Sequence, residues 1–349
     1  MKKYIMLLGI LLLFLLGSCQ KETLFGEQVE NHFFLESDGA FLPVFVEGNT
    51  SSKTFIIFLH GGPGGSAIGY NDYGAFDEIE KDFAVVYWDQ RCAGSAQGNC
   101  DKMALNVDAH VRDTELLLNL LKHRYGNDLS FFLMGHSWGG TLALSYLIKN
   151  NNQFNINGSI IVDGPHRLSN YKNYVDEILN HYGSEQIAAG NNAKKWEAIL
   201  AELPTLDGNS IAGIGKTNKL AYKAQVLMQK VDSVNTAHLS AAKGLGILFS
   251  SVNSVFSNLT NNIVTSNAMA EELLYFDITD ELSKIKIPMA LYWGKFDFVV
   301  PPVYAELICD KLSSPEKELF VFSKSDHSPM IEEVALFNEI VISFVSKYR

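Results

Sequence analysis

Basic residues are scarce in this 349-residue chain: 28 Lys and Arg stand against 39 Asp and Glu, a formal net charge of −11. No basic run follows Lys2-Lys3. Binding a nucleic acid needs clustered Lys and Arg to displace counterions from phosphates, so the balance argues against such a partner. Cysteine is scarce as well, with four residues, far below the density of a disulfide scaffold. No Cys/His spacing matches a structural zinc site. The apolar run Tyr4 to Leu16 is too short to cross a bilayer comfortably. Internal repeats and long low-complexity segments are also missing. What remains, 47% hydrophobic and 19% charged, describes a foldable globular chain. Its length allows one large α/β domain with an insertion, or two modest domains.

The N-terminus reads as a targeting segment. Lys2 and Lys3 precede the apolar run, the pattern of a secretory signal. The run ends in Leu16-Gly17-Ser18-Cys19, which resembles the lipobox of bacterial lipoproteins. That resemblance implies removal of residues 1–18 and a diacylglycerol on Cys19. It also implies attachment to a membrane of the bacterial envelope, on the periplasmic or outer-membrane side, without a spanning helix. Gln20 after the cysteine resembles lipoproteins sorted to an outer membrane. A polar tether over 19–30 follows. Among the other cysteines, Cys92 and Cys100 are close enough to close a short loop in an oxidising compartment, a pairing the sequence leaves open.

Past the tether, strand and helix signals alternate. His32–Leu35 and Phe41–Glu47 flank Ser37-Asp38-Gly39, the pattern of a β-hairpin. Short apolar runs at Thr54–Leu59, Phe83–Trp88, Leu129–Met134, Ser159–Val162, Met289–Trp293 and Glu318–Phe322 read as buried parallel strands. Asp108–Tyr125 carries Val111, Leu117, Leu120 and Leu121 at helical spacing, and a second helix is expected after Ser137. The alternation predicts an α/β fold with a mostly parallel, doubly wound sheet. Its core spans 31–165 and 286–349, interrupted at 166–285 by a helical cap rich in Asn and Lys.

Two motifs carry chemistry. Gly135-His136-Ser137-Trp138-Gly139 fits G-x-S-x-G between a predicted strand and a predicted helix, the context that turn requires. It projects Ser137 Oγ above the sheet at a helix N-terminus, where negative charge is favoured. His60-Gly61-Gly62-Pro63-Gly64-Gly65 follows the strand ending at Leu59. The N–H of Gly62 is placed to join that of Trp138 as an oxyanion hole. No Lys-Ser/Thr follows these glycines, so a P-loop is ruled out. His60 is expected to organise its loop rather than act as a base.

HGGPGG, then Trp88-Asp89-Gln90-Arg91, then GHSWGG, resembles the prolyl iminopeptidase branch of the α/β-hydrolases. Members remove N-terminal residues from peptides with a serine nucleophile beneath a helical cap. The resemblance covers about 33–163 and 287–345, leaving the cap uncovered. It departs from the family at Cys92-Ala93-Gly94, where Gly-x-Gly usually follows D-Q-R. With the fold's order of nucleophile, acid and base, it implies Ser137 as nucleophile, Asp297 after the strand Met289–Trp293 as acid, and His327 after the last strand as base. Asp163 is the rival acid, since some relatives use that position, and Asp326 reads as a turn residue. Trp196-Glu197 partly resembles the cap signature of the family. Glu197, Glu202, Glu271 and Glu272 are thus candidates for contacting a substrate α-ammonium, although plain solvated helix faces explain each of them as well.

The expectation is an exported serine hydrolase working through an acyl-enzyme without metal or organic cofactor, a proline-iminopeptidase-like aminopeptidase acting on short peptides. One alternative is a carboxylesterase with the same triad, which a cap lacking convergent acidic residues would favour. Another is a surface lipoprotein that binds a ligand without catalysis.

Overall fold

The computed structural model describes residues 23–231, 234–235 and 255–349. The expected signal segment, Cys19 and the start of the expected tether lie outside the described residues. So does part of the cap.

The hairpin pairs β1 (Val29–Ser37) with β2 (Ala40–Gly48) through Asp38-Gly39, both at positive φ (51° and 77°), as a type I′ turn requires. Next come β3 (Thr54–Leu59), β4 (Ala84–Trp88), the two-residue β5 (Gln97–Gly98), β6 (Ser130–His136), β7 (Gly158–Val162), β8 (Met289–Gly294) and β9 (Lys317–Phe322). The sheet runs β1-β2-β4-β3-β6-β7-β8-β9, with β5 on the edge of β2. All pairings from β4 across to β9 are parallel.

The expected strands match these to within three residues at either end, and β5 was not expected. The continuous apolar runs signal burial on both faces, which β3, β4, β6, β7 and β8 show. The edge strand β9, expected to be buried, is mostly exposed and buries only Phe322, because no further strand covers its outer side. In β3, Phe55, Ile57 and Leu59 enter one core and Ile56 and Phe58 the other, because side chains alternate along a strand. The first core is closed by α1 (Val107–Tyr125) and α2 (Trp138–Ile148), the second by the C-terminal helix Val334–Tyr348 through Phe337, Val341 and Phe344. Helix α1 starts where Asn106 Oδ1 accepts the Ala109 N–H (2.8 Å) and stops at Gly126, whose φ of 101° no other residue adopts easily. It buries Leu118 alongside Val111, Leu117 and Leu121, leaving Leu120 half-exposed.

Between β7 and β8 the described chain is helical: α3 (Tyr171–Ala188), α4 (Ala193–Glu202), α5 (Ile211–Met228) and α6 (Val255–Leu274). Helix α6 ties the cap to two loops of the core. Thr265 Oγ1 donates to the Cys92 carbonyl (2.5 Å), Asn261 Nδ2 to the Gly94 carbonyl (3.0 Å), and Ser266 Oγ to the Pro63 carbonyl (3.0 Å). Cys92 and Cys100 form a disulfide, and Cys92 sits at φ 50°, a conformation that explains the usual glycine there. No helix among the described residues is long and apolar enough to cross a membrane.

Candidate active site

The site forms above the C-terminal ends of the parallel strands, where open α/β sheets bind ligands. Strand β6 delivers the chain into α2 through a turn in which Ser137 takes φ 53°, ψ −120°. A non-glycine residue there is strained by about 1–3 kcal/mol, held by its surroundings. Those surroundings are glycines. A Cβ on Gly139 would run into the Leu59 carbonyl, and one on Gly140 would approach Gly164 Cα at 2.8 Å. The N–H of Ser137 donates to the Val162 carbonyl (2.9 Å), fixing the turn to β7.

After β9, His327 lies almost wholly buried with Nδ1 2.8 Å from Asp297 Oδ2, so Nδ1 carries the proton and donates it to that carboxylate. Asp297, in the loop after β8, is fully buried, and its Oδ1 accepts from the N–H groups of Val299 (2.9 Å) and Val300 (2.8 Å). Ser137 and His327 line one cavity of about 500 Å³, together with Gly62, Tyr70, Tyr222 and Asp326. A second, more apolar cavity of about 190 Å³ shares Ser137 and Gly62 and continues past Trp138 to Leu168, Tyr171 and Ile214. The N–H groups of Gly62 and Trp138 have no hydrogen-bond partner among the described residues. Gly62 lines both cavities with Ser137, and Trp138 lines the second.

Comparison with known proteins places this arrangement. Residues 50–188 match the family described as serine aminopeptidase, S33. The chain is 28% identical over 303 residues to a probable aminopeptidase, YbaC, of Bacillus subtilis, covering 84% of this chain and 89% of that one. It is 27% identical over 307 residues to the proline iminopeptidase of Thermoplasma volcanium, covering 85% and 90%. The crystal structure of a proline iminopeptidase from Mycobacterium smegmatis shares the fold, with a TM-score of 0.64 at 15% identity over 91% of this chain and 98% of that one. The chain is an α/β-hydrolase similar to the prolyl iminopeptidases.

In this hydrolase the W-D-Q-R motif is a brace for the site. Gln90 N–H donates to His60 Nε2 (3.1 Å), its Nε2 donates to the His60 carbonyl (3.2 Å), and its Oε1 accepts from the Trp138 indole (2.8 Å). One side chain therefore joins the HGGPGG loop to the residue after the nucleophile. Asp89 accepts from the N–H groups of Ala67 (2.8 Å) and Ser95 (2.7 Å), joining two further loops. Arg91 forms a buried bidentate pair with Asp113. His60 Nδ1 donates to the Gly61 carbonyl (2.8 Å), and burial pushes its imidazole down to about 4, a neutral loop organiser.

His136 and Tyr70 were not singled out in the sequence. Buried His136 donates from Nε2 to the His327 carbonyl (2.7 Å), so its Nδ1 accepts the Tyr70 hydroxyl (2.8 Å). The residue before the nucleophile thus holds the backbone of the base. His136, Asp163 and His327 bring ligand-type atoms within 4.8 Å of one another. These hydrogen bonds explain the imidazoles' grouping, since both His136 nitrogens and His327 Nδ1 are already engaged.

The cap glutamates require a correction: none of the four lines either cavity that contains Ser137. Trp196 packs into the cap core, so Glu197, one step round the helix, faces solvent. Glu202 lines a separate groove with Lys195 and Lys230. Glu271 is exposed, and Glu272 accepts the Val107 N–H (3.1 Å), capping α1. Asp326, read as a turn residue, is the carboxylate that lines the larger cavity among the described residues. Its Oδ1 accepts the His327 N–H (2.6 Å) and its Oδ2 the Gln229 amide (2.8 Å).

Proposed function

We propose that this hydrolase is a serine aminopeptidase that releases N-terminal residues from short peptides through an acyl-enzyme. The observation that carries the chemistry is the His327–Asp297 bond of 2.8 Å at a cavity that also holds Ser137 on its strained turn. Ser137 Oγ attacks the scissile carbonyl carbon as its proton passes to His327 Nε2. Asp297 holds the imidazole in that tautomer and stabilises the imidazolium. The oxyanion is met by the Gly62 and Trp138 N–H groups. His327 protonates the departing amine, and water deprotonated by His327 releases the acyl group.

The relatives' names support the peptide reading. With the cap glutamates elsewhere, the substrate α-ammonium would meet Asp326. Asp326→Asn is then expected to lose about 10- to 100-fold in kcat/KM on free-amine arylamides, the worth of a charged hydrogen bond, while sparing esters. An equal loss on both substrate types would remove Asp326 from that role.

A second reading, an ester hydrolase with the same triad, is favoured by the lack of cap carboxylates at the cavity among the described residues. Protein from residue 21 onward and its Ser137→Ala twin, assayed on Pro-, Ala- and Leu-arylamides, their N-acetyl forms and p-nitrophenyl esters, separates the two. Cleavage of free-amine arylamides, lost on acetylation, supports the aminopeptidase. Cleavage of esters alone supports the second reading.

Catalysis needs a neutral His327. Burial pushes its imidazole down to about 4 from the ordinary 6.5. Activity is therefore expected to fall with acid only through a limb well below 6.5, and a kcat/KM profile with a limb at 6.5 or above would contradict this burial.

We propose further that the hydrolase is exported and held to an envelope membrane by acylated Cys19. Gly26 donates its N–H to Thr50 Oγ1 (3.0 Å) just before β3, at the end of the sheet opposite Ser137. An anchor entering there supports a site turned toward soluble peptides. Fractionation of the full chain beside Cys19→Ala checks the anchor.

A further inference from the structure

Asp163 is a buried carboxyl for which the proposed mechanism has no use. It follows β7 at φ 49°, a left-handed conformation costly for Asp, and is fully buried. Its N–H donates to the Tyr292 carbonyl (3.1 Å), and its Oδ1 accepts the Gly294 N–H (2.9 Å). No donor among the described residues reaches Oδ2. Its carboxyl lies within 4.8 Å of a ring nitrogen of His327, the imidazole that Asp297 holds, so the two buried carboxyl groups are neighbours.

Two buried carboxylates side by side repel each other without water to screen them, so a charge on one drives the other toward its acid form. The donors decide which. Asp297 accepts three N–H bonds, from Val299, Val300 and His327, and these hold negative charge on it. Asp163 accepts one. We propose that Asp163 is a positioning residue kept as a neutral carboxylic acid, whose O–H donates to the Asp297 carboxylate and leaves a single negative charge behind His327. Burial and the charge of Asp297 both act to raise Asp163, in the same direction. The other titratable groups facing it are His136, His327, Tyr70, Asp326 and Glu332. Asp326, an anion, also favours the neutral form.

This inference rests on Asp297 as the acid of the proposed mechanism. The test reads the His327 ring titration by NMR, which requires no substrate, in wild type, Asp163→Asn and Asp163→Ala. Labelling of Ser137 by a fluorophosphonate is followed alongside it. The Asn amide is neutral and can donate to Asp297 as the acid does. Its titration midpoint is expected to match wild type, with labelling within a few-fold of it. Asp163→Ala, lacking the donor, is expected to label about 10- to 100-fold more slowly. If Asp163 is instead an anion, Asp163→Asn removes a charge near His327 and lowers the midpoint by roughly 1 unit or more, which overturns the proposal. Labelling as slow in Asp163→Asn as in Asp163→Ala would overturn it too. Should Asp163→Ala fail to fold, the Asn midpoint still decides. Failure of the acid assignment is seen separately, as undiminished labelling in Asp297→Asn.

Discussion

Ser137→Ala is expected to remove about six orders of magnitude from kcat, because a nucleophile that works as a unit with its base cannot be partly replaced. Asp297→Asn should cost about 10⁴-fold by presenting the wrong partner to His327 Nδ1. The measurement is turnover of whichever substrate class the wild type cleaves, with folding checked by thermal melting. The melting data carry a second expectation. Ser137 takes φ 53° at a turn where Gly139 and Gly140 leave no room for relaxation. Ser137→Gly relieves that strain, so it should be as inactive as Ser137→Ala but more stable by roughly 1 kcal/mol. If the serine were incidental to a glycine-rich turn, the stability difference would persist while activity survived in both. That outcome would remove Ser137 as the nucleophile.

The parts of the site written in consecutive residues were legible. G-x-S-x-G needs its glycines because the backbone of β3 passes against Gly139, and that constraint leaves a mark in the sequence. Asp297 and His327 could be placed because each follows a strand whose apolar run is unmistakable. Contacts between distant segments were not legible. Nothing in the sequence indicates that Gln90 spans His60 and Trp138, or that Tyr70 reaches His136 across 66 residues. The W-D-Q-R run was visible as a resemblance, but its task depends on which loops the sheet order brings together. The cap failed for another reason. Its helices are amphipathic on several sides, so a glutamate near a tryptophan gives no sign of which face meets the cavity. Only packing turns Trp196 inward and Glu197 outward.

The largest expected loss of stability also comes from that motif. Arg91 and Asp113 are 1% and 0% exposed, joined by two bonds of 2.6 Å, and Ser37 Oγ donates to Asp113 (2.6 Å) while accepting from Arg91 (3.1 Å). The pair ties the edge strand β1 and helix α1 to the loop after β4. Asp113→Ala would leave a guanidinium buried without its counter-charge, at a cost of about 3–5 kcal/mol. Removing both charges is a different matter. Arg91→Met with Asp113→Leu fills similar space without desolvated ions, so the double variant should recover most of the loss, and a denaturant-unfolding cycle over the four proteins measures this directly. A double variant no more stable than Asp113→Ala would mean that the hydrogen bonds to Ser37, rather than the neutralised charge, hold this corner together. Activity should not recover in parallel. Gln90 is the neighbour of Arg91 and fixes both the loop bearing Gly62 and the indole of Trp138. A chain that regains its stability with apolar residues at 91 and 113 has lost the fork that sets the register of Gln90. The expected double variant is stable yet slow, with the loss in kcat rather than KM, because the groups displaced are those that face the oxyanion.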